Sequence, residues 1–129
     1  MDKRYLVDTN IIIYYLNDEI PEESLPKVEE ILSISFQGST ISRIEVLGWK
    51  GISEDLRQQI TSFLSEATIF YVDADIEEGT IKIKQKHKIK TPDAVIAATA
   101  LLNDCILVTR NEKDFVNIEG LVIYNPFRS

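Results

Sequence analysis

Four acidic residues stand at the ends of apolar segments that would otherwise be plain core: Asp8, Glu45, Asp93 and Asp114. Each falls where a strand or loop gives way to a helix, in LVDTN at 6–10, SRIE at 42–45, TPDA at 91–94 and TRNEKD at 109–114. A parallel α/β sheet gathers such handover points at one edge. Carboxylates gathered there repel one another unless something positive sits between them, and a hard divalent cation with oxygen ligands is the usual solution. Such a cation lowers the pKa of a bound water and neutralises charge on a reacting phosphate, so the chemistry indicated is metal-dependent phosphoester cleavage. No histidine or cysteine falls within the four motifs, which gives no support to a zinc site. His87 stands alone in a basic stretch and reads as a solvated surface residue.

Each acid taken singly has a plainer explanation. Ser42-x-x-Glu45 has the spacing of a capping box, in which Glu45 serves the Ser42 backbone N–H. Asp93 in a first helical turn meets the helix dipole favourably. Asn111-x-x-Asp114 has cap-like spacing, and Asp8, just before a helix, has the form of an N-cap. A cap does not demand an acid, however. Thr9 or Asn10 could cap in place of Asp8, and Thr91 is already placed to cap the helix that holds Asp93. The two roles are also compatible, since a capping carboxylate can still ligate a metal.

The elements that must position these acids alternate along the chain. YLVD at 5–8 is a short buried strand by length and composition. Ile11, Ile12, Tyr15 and Leu16 follow helical spacing. Pro21 with Glu22 and Glu23 opens a second helix carrying Val28, Ile31 and Leu32, which Gly38 ends as a C-cap. STIS at 39–42 reads as a strand. Ile44, Val46, Leu47 and Trp49 lie on a helix stopped near Gly51, and Ser53 starts another with Leu56, Ile60, Phe63 and Leu64 on one face. TIFYVD at 68–73 is a strand. Segment 75–88 alternates like an edge strand in IKIKQKHKIK, yet Ile76, Thr80, Ile83 and His87 share a helical face. A helix supplies the crossover that a parallel sheet requires, although Gly79 weighs against it. Thr91-Pro92-Asp93 starts a helix rich in small residues, CILVT at 105–109 is the next strand, and LVIYNP at 121–126 the last. The expected architecture is a three-layer α/β/α sandwich with a central, mostly parallel sheet.

At 129 residues, 44% of them hydrophobic and 27% charged, the chain fits one soluble globular domain spanning 1–129. No apolar run is long enough to span a membrane. The apolar stretch after the charged start is broken by Asp8 and Asn10, which fits a first strand rather than a signal peptide. Cys105 is the single cysteine, lies in an apolar run and suits a buried site in a reducing cytoplasm. A net charge of −7 excludes a surface that attracts nucleic acid everywhere, but not a local basic path. Such a path is offered by the five lysines of 82–90, Lys82, Lys84, Lys86, Lys88 and Lys90, which read equally as a solvated face. Lys88 and Lys90 precede the Asp93 turn. Arg43 and Arg110, each beside a motif residue, are further candidates. Trp49, Phe63 and Tyr71 fit core packing better than base stacking.

Four motifs together, V-D-T-N at 7–10, S-R-I-E at 42–45, T-P-D-A-x-I-A-A at 91–98 and L-V-T-R-N-x-x-D-F at 107–115, resemble the PIN domain nucleases. The resemblance runs in order from Tyr5 to Pro126 and points to the VapC-type toxins of toxin–antitoxin pairs. It implies that Asp8, Glu45, Asp93 and Asp114 are a catalytic quartet binding one or two Mg²⁺ or Mn²⁺ ions, with Thr9, Asn10, Thr109 and Asn111 in support. It implies hydrolysis of RNA, an antitoxin partner and a homodimer. Asp8 and Asp93 are the expected direct ligands, with Glu45 and Asp114 acting through water or on a second ion. Two other readings stand beside it. A receiver-type phosphoacceptor could use Asp8, Asp73, Thr109 and Lys113, but VDTN lacks the acidic pair it needs. An inactive PIN-like binding protein would not need the intact quartet.

Overall fold

The computed structural model describes residues 3–34 and 36–128; the first two residues of the charged start lie outside them. Five parallel strands form one sheet in the order β3-β2-β1-β4-β5. They are β1 (Arg4–Val7), β2 (Gln37–Ser39), β3 (Thr68–Phe70), β4 (Cys105–Val108) and β5 (Ile123–Tyr124). The helices between them are α1 (Thr9–Leu16), α2 (Leu25–Ser33), α3 (Thr40–Leu47), α4 (Glu54–Leu64), α5 (Ala74–Lys86) and α6 (Thr91–Leu102), with a short 3-10 helix at Glu112–Phe115.

Side chains alternate across a strand, so adjacent residues of β1 and β4 feed opposite faces of the sheet. Val7 and Val108 join one core with Ile11 and Ile12 of α1, Val28, Ile31 and Leu32 of α2, and Ile60 and Leu64 of α4. Leu6 and Leu107 join the other with Ile83 of α5 and Ala94, Ile96, Ala97 and Ala98 of α6. The three-layer sandwich expected from the alternation is therefore present. Helix α3 belongs to both cores: Val46 sits in the first and Ile41 packs against the second.

The ambiguous segment after β3 is helical, and Gly79 sits at a close contact of its packing on α6. A Cβ there would lie 3.3 Å from both Ala98 Cβ and Leu102 Cδ1, so the glycine and the small residues of α6 let the two helices approach closely. The helix costs Gly79 some propensity but gains that contact.

Several local expectations are corrected. The strand expected at 39–42 ends at Ser39, because Ser39 caps α3: its Oγ accepts from the Ile41 N–H at 3.2 Å. Ser42 therefore lies inside the helix and is no capping residue. Helix α2 starts at Leu25, with Pro26 in its first turn, rather than at Pro21, and it ends at Ser33. Gly38 is a buried residue of β2, not a helix terminator. Lys90, not Thr91, occupies the N-cap position of α6, with no side-chain cap bond. No described helix is long and apolar enough to cross a membrane.

Candidate active site

The strand order places the reversal of winding between β1 and β4. The chain steps outward from β1 through β2 to β3, then returns on α5 and α6 to β4 on the other side of β1. The connections leaving β1 and β4 diverge there and open a crevice at the strands' carboxyl ends. Asp8 follows β1 and Thr109 follows β4, and the Asp8 N–H still donates to Val108 O at 2.9 Å. A cavity of about 600 Å³ opens at this point, and Asp8, Glu45, Asp93 and Asp114 all line it. Asn10 and Asn111 line it as well.

Asp8 is the best-held of the four. As N-cap of α1 it accepts the Asn10 N–H on Oδ1 at 3.3 Å, the capping role the sequence allowed. Ser42 donates to the same oxygen at 3.2 Å, and Thr109 donates to Oδ2 at 3.2 Å. Ser42 Oγ also accepts the Thr9 N–H at 2.8 Å and lies 2.8 Å from Thr9 Oγ1. A single hydroxyl proton cannot serve Asp8 and Thr9 together. The arrangement that satisfies every group has the Thr9 hydroxyl donating to Ser42 and Ser42 donating to Asp8. Thr9, Ser42 and Thr109 are buried, so the hydroxyls behind Asp8 are shielded from water while its carboxylate reaches the cavity. Thr109 Oγ1 accepts the Asn111 N–H at 3.2 Å, which ties the loop after β4 into the same assembly.

The other acids come from three separate elements. Asp93 lies half-buried in the first turn of α6, behind Pro92. Glu45 is exposed, one turn beyond Ser42 on α3. Asp114 is exposed in the 3-10 helix, where its N–H donates to Asn111 O at 3.1 Å. Burial raises the Asp8 carboxyl above its ordinary value, against the lowering effect of its three hydrogen bonds. Although its side chain is largely exposed, partial desolvation at the cavity wall raises Glu45 first, and the charges of Asp8 and Asp93 raise it further. Burial and the charge of Asp114 raise Asp93; Lys90 opposes this and Asp8 adds to it. The four acids thus share one field, with Lys90 the lysine at the cavity wall.

Among the described residues, no three acids are gathered tightly enough to hold an ion unaided. The donor set is nonetheless all carboxylate oxygen in a partly desolvated pocket. That fits a hard divalent cation of the Mg²⁺ type, which keeps several waters and takes only a few protein ligands.

The basic candidates are dispersed. Lys90 lines the cavity, and Lys86 and Lys88 are exposed nearby in sequence. Lys84 instead donates to Ile89 O at 3.0 Å and Thr91 Oγ1 at 3.1 Å, beside a separate groove between α5 and α6. The Arg110 guanidinium lies over the Phe127 ring at 4.2 Å and the Tyr14 ring at 5.1 Å. Arg43 is half-buried. Asp73 caps α5 by accepting the Ile76 N–H at 2.8 Å and does not line the cavity, so the receiver-type arrangement is absent. Sequence reasoning missed two residues. Ser42, taken as a helix cap, is the contact between α3 and Asp8; its spacing of three from Glu45 put both on one helix face and was the available signal. Trp49, expected in the core, is exposed at the cavity wall, and Tyr71 is exposed too, whereas Phe63 packs against the first core as expected.

The PIN domain family profile matches residues 5–121. The chain belongs to the PIN domain family. PIN domain nucleases generally use divalent metal ions. No curated protein matches by sequence. Among solved structures, a toxin–antitoxin complex from Klebsiella pneumoniae contains a chain 32% identical at a TM-score of 0.75, covering 97% of this chain and 99% of that one. VapBC-1 from nontypeable Haemophilus influenzae matches at 27% identity and TM-score 0.75, over 96% and 98% of the two chains. VapBC2 from Rickettsia felis, bound to a DNA fragment from its promoter, matches at 26% and TM-score 0.74, over 94% and 97%. The PIN domain described here is thus of the VapC type, a nuclease fold, as the four motifs suggested.

Proposed function

We propose that this PIN domain, taken as a single domain over residues 1–129, is a Mg²⁺- or Mn²⁺-dependent endoribonuclease and the toxin of a toxin–antitoxin pair. The observation that carries the reading is the meeting of Asp8, Glu45, Asp93 and Asp114 around one cavity at the switch between β1 and β4. The toxin role is supported by the similarity to chains of toxin–antitoxin complexes. An antitoxin, a homodimeric assembly and a cytoplasmic setting belong to the same proposal.

Asp8 and Asp93 would hold one or two ions directly, with Glu45 and Asp114 acting through water or on the second ion. A bound ion would supply hydroxide at neutral pH and offset charge on the phosphate. The chain's own contribution is positional. Ser42 and Thr109 fix both oxygens of Asp8, so its carboxylate does not rotate as the cavity fills. Asn111 is bound through its N–H to the same network. Lys90 offers a positive charge to a phosphate at the cavity wall.

The test is cleavage of an unstructured RNA by the purified protein with Mg²⁺ or Mn²⁺, with chelator, and in Asp8→Asn and Asp93→Asn. Cleavage should require the ion and fall by orders of magnitude in both variants, because the amide keeps shape but removes the charge a hard cation needs. Full activity in chelator, or in both variants, would refute the metal-dependent reading.

A further inference from the structure

We propose that Trp49 is a stacking platform for an unpaired base of single-stranded RNA, next to the phosphate held by the acidic cavity. The inference rests on the ribonuclease reading above and names the form of substrate that site takes.

Tryptophan is among the most buried residue types on average, yet Trp49 is 57% exposed. It lies just past the end of α3, the helix that carries Glu45, and lines the same cavity as the four acids. Its ring is braced. A Cβ on Gly51 would fall 2.9 Å from Trp49 Cζ2 and 3.1 Å from Cε2, so the benzo ring rests against a backbone that only glycine leaves bare. An aromatic backed by a glycine, more than half exposed and set at the wall of a phosphate-directed cavity has the form by which proteins take unpaired bases. The cavity wall continues the apolar surface with Ile13 and Ile96, which suits the face of a base rather than its hydrogen-bonding edge.

A protein partner is the competing occupant, since Ile44 on α3 is 61% exposed. Ile44 does not line the cavity and Trp49 does, which ties the ring to the acids rather than to a separate patch. A base paired in a duplex is stacked on both faces and cannot offer one to the ring, so the platform selects loops and single strands.

Trp49 is the only tryptophan, so its fluorescence reports on this position alone. The experiment titrates the full chain, with Mg²⁺ or Mn²⁺ present, with a short unstructured RNA whose backbone is made non-hydrolysable, and in parallel follows cleavage of the ordinary RNA and its duplex with the same ion. Binding should quench the fluorescence. Trp49→Ala should weaken single-strand binding about 5- to 100-fold and raise KM more than it lowers kcat, while Trp49→Phe restores most of the loss. Gly51→Ala, which displaces the ring without removing it, should weaken binding in the same direction. The duplex should bind alike in all four proteins. Unmoved fluorescence on RNA addition, or an unchanged KM in Trp49→Ala with cleavage intact, would overturn the platform. Fluorescence that responds only to a protein encoded beside this chain would overturn it in favour of a docking contact. Quenching and variant effects without cleavage would uphold the platform while removing the nuclease reading.

Discussion

Asp8 shows how one carboxylate can be both cap and candidate ligand. Its hydrogen bonds favour the charged form, yet burial outweighs them and its pKa is raised. Glu45 and Asp93 are raised as well, by burial first and then by neighbouring acids. In the metal-free protein the folded state therefore binds protons more readily than the unfolded chain, and stability falls as pH rises through the folded pKa values. The penalty is fully present above the folded pKa values and fades as pH falls toward the ordinary carboxylate values of 3.8 and 4.5. Asp8→Asn removes the charge that burial opposes. It should unfold at a higher temperature than the parent at neutral pH without divalent ions, and the gap should close as pH falls; thermal unfolding across that range, with a gap constant or reversed, would contradict this. Ser42 acts through Asp8. Ser42→Ala leaves the buried Thr9 N–H without its acceptor and should cost about 1–3 kcal/mol in denaturant unfolding. Cleavage should fall in kcat, because Asp8 Oδ1 would keep only the bond from the Asn10 N–H; a variant with parental kcat would make Ser42 purely structural.

At the scale of elements, the packing of α5 on α6 is the contact the chain most visibly arranges for. Gly79→Ala gains about 1 kcal/mol of helix propensity against tight contacts at 3.3 Å, and the two should nearly cancel. Gly79→Val has no such compensation and should destabilise by about 1–3 kcal/mol through overpacking, measured as a lowered denaturation midpoint. A neutral Gly79→Val would show that the helices can part at no cost. That Gly79 counted against a helix in the sequence and proves to be its contact point shows where local reasoning ends. Propensity describes a helix in isolation; a partner helix of alanines reverses the preference. The strand-to-helix handovers were legible because buried apolar runs and helical periodicity both register locally. The start of α3 was not, since Ser39 and Ser42 are equally good capping residues. The choice between them is made by Asp8 and Thr9, more than thirty residues away, which engage Ser42 inside the helix. Trp49 was misread for a related reason. Bulk argues for burial, and only the position of α3 across the carboxyl end of the sheet leaves that residue facing a cavity.

At the scale of the whole molecule, charge opposes the proposed substrate. A net charge of −7 repels RNA at a distance, and the acids of the cavity add to this until a cation is bound. Binding must then draw on a local path of positive charge. The lysine-rich stretch was legible in the sequence, but its division of labour was not. All of Lys84, Lys86, Lys88 and Lys90 are exposed, but Lys84 is held by Ile89 and Thr91, and Lys90 reaches the cavity. The path therefore runs over the end of α5 and the turn into α6, ending at Asp93. Replacing Lys86, Lys88 and Lys90 together by Gln should weaken single-stranded RNA binding and lower the slope of log affinity against log salt by up to about 2, as each lost phosphate contact releases fewer counterions. Lys84→Gln alone should leave that slope unchanged and act instead on stability, through its bonds to the turn. Filter-binding titrations over a range of salt concentrations measure both. A slope unchanged in the triple variant would mean that the lysines are a solvated face and that RNA approaches by another route, for which Arg43 and Arg110 are the remaining candidates.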